Sequence, residues 1–199
     1  MGITVDERAL AVMRVHFDLL LRWNARINLT AIRDPDQILR RHFAESLFLT
    51  RVIAFGPGIL YDIGSGAGFP GLPLKAAHPE INLVLVESSQ KKAAFLKEVI
   101  RAAGLEGVRV EAKRAEELAA QGMVEAADWI TVRAVGNLKQ MLPHLWCLLA
   151  ARGQLALFLG VEDAGRLLSE GGGLAWQAPV PIPGSQRRVI LVGRHQDPP

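Results

Sequence analysis

The residues with the clearest chemical potential form one glycine-rich stretch. It follows a short apolar run, Ile59 to Ile63, and contains Gly64, Gly66, Gly68 and Gly71. The apolar run has the pattern of a buried strand, and glycine permits positive φ angles and close approach of a ligand to the backbone. The stretch therefore predicts a strand, a glycine turn and a helix N-terminus, which is the ligand-binding corner of a Rossmann-like fold. By itself it is also compatible with an ordinary tight turn.

Two acidic residues indicate which ligand the turn would bind. Glu87 ends the next apolar run and lies 23 residues beyond Gly64; an acid about 20 residues after the glycines can bind ribose hydroxyls. Asp62 lies just before the glycines, where its carboxylate would repel the pyrophosphate of a dinucleotide. It suits a cationic ligand with an amino group, such as S-adenosylmethionine.

The apolar pattern divides the chain into two parts. A boundary signal at 56–58 separates a helical N-terminal segment, residues 1–55, from a Rossmann-like domain, residues 56–199. Strands and helices alternate in the second part, as in a parallel sheet with helices on both faces. The predicted strands cover residues 59–63, 81–86, 108–112, 129–132 and 154–159. A turn at Gly153, a flexible joint at 171–173 and a C-terminal hairpin over 174–194 complete the prediction.

Two helix starts are predicted in the N-terminal segment. Thr4 and Glu7 have the spacing of a capping box, and Asp34 precedes a proline as an N-cap. His42 falls on a partly apolar face of the second helix, where it could be a hydrogen-bonded structural histidine or a catalyst. The arginines of this segment could bind RNA phosphates or simply be solvated.

The composition limits the class of protein. The 199 residues suffice for one α/β domain with a small appendage. Lys and Arg outnumber Asp and Glu by 23 to 20, which permits a nucleic-acid partner without requiring one. Cys147 is the only cysteine, which excludes an internal disulfide and a Cys-rich zinc site, and no metal is expected. Without a signal peptide or a membrane-spanning apolar run, we expect a monomeric, cytoplasmic protein with no membrane partner.

Five sequence blocks resemble the small-subunit ribosomal RNA methyltransferase G family, also called glucose-inhibited division protein B. The blocks are Trp23-Asn24…Asn28-Leu29-Thr30, Arg41-His42…Glu45-Ser46, Asp62-x-Gly64-x-Gly66-x-Gly68-Phe69-Pro70-Gly71, Val86-Glu87-Ser88 and Thr131-x-Arg133-Ala134. The resemblance implies an α/β class I S-adenosylmethionine-dependent methyltransferase fold. Such a fold has a seven-stranded sheet whose last strand, here 188–194, is antiparallel.

The resemblance also implies an activity. A methyl group would pass from S-adenosylmethionine to N7 of a guanine in the 530 loop of 16S rRNA, leaving S-adenosylhomocysteine. The partner would be this rRNA or the small ribosomal subunit. Guanine N7 has an in-plane lone pair and no hydrogen, so positioning matters more than a general base. The alternatives are a methyltransferase acting on another RNA or a small molecule, and an NAD-binding Rossmann enzyme.

By position, the resemblance assigns three sets of residues. The cofactor would be bound by Asp62, Gly64, Gly66, Gly68, Phe69, Glu87, Ser88, Ser89, Ala115, Glu116 and Arg133. The candidate catalytic residues are Asn28, His42 and Arg133, of which Arg133 is expected to bind a phosphate or a base edge rather than act as a base. RNA would be bound by Arg26, Arg40, Arg41, Arg187 and Arg188.

Two positions depart from the family pattern. Glu45 stands where the family usually has aspartate before Ser46, and Leu159 stands where it usually has lysine before Gly160. The first change keeps the carboxylate. The second removes a charge, so any contact that the lysine makes with RNA or cofactor is lost in this chain.

Overall fold

The structure, a computed structural model, describes residues 2–121, 125–133, 136, 138–170 and 174–196. Within them the strands are β1 Gly58–Ile63, β2 Ile81–Val86, β3 Val108–Glu111, β4 Ala127–Arg133, β5 Leu149–Gly160, β6 Leu174–Trp176, β7 Val180–Pro181 and β8 Arg188–His195. The α-helices are α1 Glu7–Asn24, α2 Pro35–Ile38, α3 Glu45–Phe48, α4 Gly71–Ala77, α5 Gln90–Ala102, α6 Ala115–Ala119, α7 Leu138–Leu148 and α8 Val161–Glu170. A π-helical turn, Leu39–Ala44, joins α2 to α3, and a 3-10 turn, Leu49–Arg51, follows α3.

The strands form one sheet in the order β3-β2-β1-β4-β5-β8-β6, and the two-residue β7 pairs with β8. Strands β1 to β5 are parallel, whereas β8 runs antiparallel to β5. The direction of winding reverses between β1 and β4, and ligands bind at the carboxyl ends of strands at such a point. This topology confirms the predicted fold class, with β7 as an additional short strand.

The central strands are apolar along most of their length because helices cover both faces of the sheet. Every residue from Leu60 to Ile63 in β1 is buried. The N-terminal helix packs onto the same core: Trp23 Nε1 donates a hydrogen bond of 3.1 Å to Glu98 Oε2 on α5, and its ring lies edge-on to Phe95. The helical segment and the sheet therefore share one hydrophobic core.

The caps of the N-terminal helices follow the sequence prediction in one of two cases. Asp34 Oδ1 accepts a hydrogen bond of 2.8 Å from Gln37 N–H, so this N-cap is confirmed. The predicted capping box at Thr4 is wrong, because Asp6 caps α1 by accepting from Ala9 N–H at 2.7 Å. An aspartate directly before the helix reaches the free N–H groups of the first turn more easily than a residue two positions earlier.

The C-terminal part differs from prediction at one strand boundary. Gly153 lies inside β5 rather than at its start, because β5 already pairs with β4 at Leu149. The predicted hairpin is present as β6 and β8, which pair in antiparallel register. The predicted joint at residues 171–173 lies outside the described residues.

The glycine turn is tightly packed at Gly68. Its φ is +86°, and a Cβ there would lie 2.4 Å from Leu72 Cδ1 and 3.1 Å from Leu96 Cδ2. Gly104 also has a positive φ, +60°, but a Cβ there would meet nothing within 4 Å. We expect Gly68→Ala to lower the free energy of unfolding by about 2–5 kcal/mol, because overpacking adds to backbone strain.

The matched variant Gly104→Ala carries only the strain, so its expected loss is about 1–2 kcal/mol. Urea unfolding of both variants beside the wild type measures the difference. Equal losses in the two variants would show that the turn has room for a side chain.

Candidate active site

One carboxylate fastens the glycine turn to the end of β2. Gly64, Gly66 and Gly68 have φ angles of +69°, +55° and +86°, a conformation that favours glycine. Glu87 is 7% exposed and accepts hydrogen bonds from Gly66 N–H at 2.9 Å and Ser89 N–H at 2.8 Å. The two bonds use different oxygens, and each oxygen has a second lone pair. Glu87 can therefore also accept hydrogen bonds from ligand hydroxyls.

A cavity of about 420 Å³, the first cavity, lies at the carboxyl ends of β1 and β2. Five predicted cofactor residues line it: Gly64, Glu87, Ser88, Ala115 and Glu116. Apolar side chains, Ile63 and Met141 among them, complete its wall. Six other predicted cofactor residues are not part of this wall: Gly66, Gly68, Phe69, Ser89, Asp62 and Arg133. Of these, Gly66 and Ser89 act on the cavity indirectly by orienting Glu87.

Asp62 is fully buried at the end of β1. Its Oδ1 accepts a hydrogen bond of 2.8 Å from Thr131 Oγ1, and its Oδ2 accepts one of 3.1 Å from Gly71 N–H. Burial raises the pKa of Asp62 to about 6, and the two hydrogen bonds offset this only in part. The carboxylate thus joins β1, β4 and the start of α4, and its predicted contact with the cofactor stays a prediction.

A second cavity, of about 390 Å³, lies at the carboxyl end of β4. It is lined by Ile32, Arg41, His42, Glu45, Arg133, Phe158, Leu159, Gly160, Asp163, Ile182 and Arg188. Strand β4 is the neighbour of β1, with Val132 paired to Ile63. The two cavities therefore lie at the ends of adjacent strands. Arg133, which was also predicted to bind cofactor, belongs to the second cavity and not to the wall of the first.

Three charged side chains meet in the wall of the second cavity. Glu45 Oε2 accepts hydrogen bonds from Arg188 Nη1 at 2.6 Å and from Arg133 Nη2 at 3.1 Å. Arg133 Nη2 also donates to the carbonyl oxygen of Arg41. The side chains of Glu45 and Arg133 are only 5% and 15% exposed, so water screens this cluster weakly. Burial lowers the pKa of Arg133, and the Glu45 carboxylate opposes that shift.

Phe69 of the glycine turn lies between two histidines of the N-terminal segment. Its ring centroid is 4.7 Å from that of His16 and 4.8 Å from that of His42, and both pairs are stacked. His16 Nε2–H donates to the Ala67 carbonyl at 2.7 Å, and His42 Nε2 is hydrogen-bonded to Thr30 Oγ1 at 2.8 Å. Burial lowers the pKa of both histidines to about 4, so both rings are neutral at pH 7. His42 is thus a stacked, hydrogen-bonded wall residue.

Three of the five predicted RNA-binding arginines line the second cavity or the outer cavity next to it. Arg41 and Arg188 line it, and with Arg40 they also line an outer cavity of about 800 Å³ that shares part of its wall. Arg187 is exposed directly before β8. The helical segment 35–51 and the start of β8 therefore place three arginines, Arg40, Arg41 and Arg188, around one opening.

The turn after α1 carries two predicted site residues that lie elsewhere. Arg26 lines a separate cavity beside Trp23, and Asn28 is exposed and lines neither the first nor the second cavity. The ordering of this turn depends on Asn24, whose Oδ1 accepts from the N–H groups of Leu29 and Thr30 at 3.0 Å. Asn24 thereby places the Thr30 hydroxyl on His42.

Sequence reasoning missed two side chains that shape the site. His16 lies on the buried face of α1 and belongs to no motif, so nothing in the sequence separates it from a core residue. Thr131 belongs to the fifth sequence block, but no role was assigned to it. Its signal is positional, because it pairs in register with Asp62 on the neighbouring strand. This pairing can be recognised only when the strand order is known, and the sequence does not give the strand order.

Neither a metal site nor a membrane-spanning helix is present in the described part of the chain. No group of three or more His, Cys, Asp and Glu side chains there is placed to hold a metal ion. None of the described helices is both long and apolar enough to cross a bilayer. Cys147 is a free, exposed thiol on α7 and lines neither cavity.

His16 makes the stability of the fold depend on pH. Its pKa is about 4 in the folded chain, against an ordinary value of 6.5. Between these values the unfolded chain binds more protons, so stability falls as the pH falls. For this one group, the loss from pH 7.5 to pH 5 is about 2 kcal/mol. We expect His16→Gln, whose amide can still donate to the Ala67 carbonyl, to lose about 2 kcal/mol less than the wild type over that range.

Urea unfolding at the two pH values measures this difference. His78→Gln is the control, because His78 lies on the surface beside Glu80. A pH-dependent loss in His16→Gln equal to that of the wild type would contradict a neutral, buried His16.

Comparison with known sequences gives one consistent family. A family model described as rRNA small subunit methyltransferase G matches residues 9–169. The protein named Ribosomal RNA small subunit methyltransferase G of Chloroflexus aggregans is 38% identical over 200 residues, covering 96% of this chain and 84% of its own. The protein of the same name from a Geobacter species is 32% identical, with coverage of 98% and 93%.

Comparison with solved structures supports the fold. A SAM dependent methyltransferase from Aquifex aeolicus superposes with a TM-score of 0.64 at 15% identity, over 80% of this chain and 93% of its own. A ribosomal protein L11 methylase from Lactobacillus delbrueckii gives a TM-score of 0.63 at 12% identity, over 78% and 79%. These likenesses show the fold alone, whereas the sequence matches extend over the glycine turn, the acid after β2 and the end of β4. The chain belongs to the rRNA small subunit methyltransferase G family.

Proposed function

We propose that this protein transfers the methyl group of S-adenosylmethionine to N7 of a guanine in the 530 loop of 16S rRNA. Family membership supports methylation of small-subunit rRNA. The observation that carries the proposal is the pair of cavities at the ends of adjacent strands, one lined by the Glu87 carboxylate and one rich in arginine. We further propose that the protein acts as a monomer in the cytoplasm, where small subunits are its partner, with residues 1–55 as a cap over the guanine.

The first cavity suits S-adenosylmethionine. The backbone N–H groups of Gly66 and Ser89 fix the Glu87 carboxylate, and its remaining lone pairs fit the ribose hydroxyls. Ala115 and Glu116 border the space beside it, where the adenine would lie. Gly64 is exposed and has no side chain to obstruct the methionine part. When bound, S-adenosylmethionine supplies a methyl group on a positively charged sulfur.

The second cavity suits one guanine turned out of its stack. Phe158 and Ile182 supply an apolar surface, and the arginines of the wall supply donors for a base edge or a phosphate. Arg41, Arg133 and Arg188 outnumber the two carboxylates of the wall, so the cavity favours the negatively charged RNA backbone. A volume of about 390 Å³ admits a single nucleobase rather than a stacked helix.

The residues of the second cavity act by positioning. Guanine N7 carries a lone pair and no hydrogen, so no side chain has to remove a proton. His42 fits this chemistry, because a ring with a pKa of about 4 adds no positive charge beside a purine that becomes cationic. The stack on Phe69 and the Glu45 cluster fix the walls of the cavity. These walls exclude water and hold N7 in line with the methyl group.

Removal of the Glu87 charge tests the cofactor site. We expect Glu87→Gln to weaken S-adenosylmethionine binding by roughly 10- to 100-fold, because one ribose hydroxyl loses a charged acceptor. Calorimetric titration measures the affinity. The control is Glu80→Gln, an acid outside the first cavity, which should bind like the wild type. Equal affinity in both variants would remove Glu87 from the site.

Transfer of labelled methyl groups tests the function itself. The protein is incubated with labelled S-adenosylmethionine and small ribosomal subunits from cells that lack this activity, and N7-methylguanine is mapped by chemical cleavage of the rRNA. We expect label at one guanine of the 530 loop. Label at another guanine, or on another atom, would overturn the proposed target. The absence of label despite bound cofactor would overturn the proposed activity on this RNA.

A further inference from the structure

Within the described part of the chain, only one of the two terminal nitrogens of the Arg133 guanidinium group has hydrogen-bond acceptors. Its Nη2 donates to Glu45 Oε2 and to the Arg41 carbonyl. Its Nη1 is buried and has no hydrogen-bond partner among the residues that the structure describes. A buried donor without an acceptor is unfavourable. Because Arg133 lines the second cavity, a ligand in this cavity can supply the missing acceptor.

The hydrogen bonds of Arg133 Nη2 matter for the reaction. An unrestrained arginine binds guanine with two donors, one on O6 and one on N7, and this is the commonest arginine–guanine contact. Such a contact would cover the atom that is to be methylated. In this protein Nη2 already donates to Glu45 and to the Arg41 carbonyl. Only Nη1 therefore remains to donate a hydrogen bond to the base.

Glu45 cannot easily release Arg133. Its Oε2 is also held by Arg188 Nη1 at 2.6 Å, and its side chain is 5% exposed. Rotation of the carboxylate would break both ion pairs in a place where water cannot replace them. The Arg188 contact therefore keeps the Glu45 carboxylate hydrogen-bonded to Arg133 Nη2.

We propose that Arg133 recognises O6 of the target guanine through Nη1 alone, and that Glu45 is the positioning residue that keeps N7 uncovered. This inference rests on the proposed function. It also explains a choice between purines. Adenine carries an amino group where guanine carries O6, and that amino group would oppose the Nη1 donor. Arg133 thus selects the base, and Glu45 keeps the selected base reactive.

Base analogues at the target position test the contact with O6. 2-Aminopurine lacks O6 and keeps N7, and inosine keeps both O6 and N7. Each is introduced as a single nucleotide by ligation of rRNA fragments and reconstitution into small subunits. We expect the wild type to lose roughly 10- to 100-fold in kcat/KM on 2-aminopurine and less than about threefold on inosine. Arg133→Met should fall to the 2-aminopurine level on guanine, with no further loss on 2-aminopurine.

Arg40→Met is the matched control for the loss of an arginine. Arg40 lies in the π-helical turn Leu39–Ala44 and lines the outer cavity but not the second, so this variant should keep the preference for guanine over 2-aminopurine. Calorimetry should show unchanged affinity for S-adenosylmethionine in both arginine variants. A loss of that affinity in Arg133→Met would mark Arg133 as a cofactor residue and overturn the inference.

Glu45→Gln tests the positioning role separately. Without the carboxylate, Arg133 is free to bind O6 and N7 together, so we expect kcat to fall at least about tenfold while KM for subunits stays equal or falls. Glu45→Asp keeps the charge and should restore most of the activity. A rise in KM at unchanged kcat would overturn the positioning role.

The outcomes separate the two claims. If the wild type methylates guanine and 2-aminopurine equally well, the inference is wrong and the proposed function stands. If Arg133→Met still prefers guanine to 2-aminopurine, another residue reads O6 and the inference is wrong. If the guanine substrate itself yields no N7-methylguanine, the proposed function fails and the inference falls with it.

Discussion

The buried carboxylate of Asp62 holds together the parts on which both cavities depend. It bonds to Thr131 on β4 and to Gly71 at the start of α4. A Cβ on Gly71 would lie 2.8 Å from Asp62 Oδ2, so this carboxylate and a side chain at position 71 exclude one another. Alternate residues of a strand share a face, so fixing Thr131 also fixes the direction in which Arg133 leaves β4. The Asp62 carboxylate thereby fixes the position of the glycine turn relative to Arg133.

The two cavities are built from different parts of the chain. The wall of the first comes from the loops that follow β1, β2, β3 and β4, as the winding of a parallel sheet requires. The second also needs the helical segment 35–51 and the start of β8. Phe69 connects the two, because it belongs to the glycine turn and stacks on His16 and His42. The N-terminal segment is therefore in direct contact with the glycine turn beside the first cavity.

Much of the fold could be predicted from the sequence because its signals are local. The apolar runs, the glycine turn and the cap at Asp34 each depend on a few consecutive residues, and the structure places them within a few residues of prediction. The first cavity was predictable for the same reason, since Gly64 and Glu87 end strands of a known winding. The bonds of Asp62 to β4 and α4 could not be predicted, because spacing alone does not tell a carboxylate that faces a ligand from one that faces a neighbouring strand.

The second cavity was harder to predict because its contacts join distant parts of the chain. Glu45 attracted notice only as a departure from a family pattern, whereas the structure makes it the partner of Arg133 and Arg188. His16 carried no signal at all, since an apolar helix face hides a histidine that stacks on Phe69. Periodicity shows which residues are buried but does not show which buried residues meet.

The ion pair between Glu45 and Arg188 spans 143 residues of chain, and this has a consequence for synthesis. The wall of the first cavity is complete at Met141, whereas the second needs Arg188. The N-terminal part of a chain is synthesised first, and domains fold as their residues become available. The second cavity is thus completed after the first, once the residues around Arg188 are free to fold.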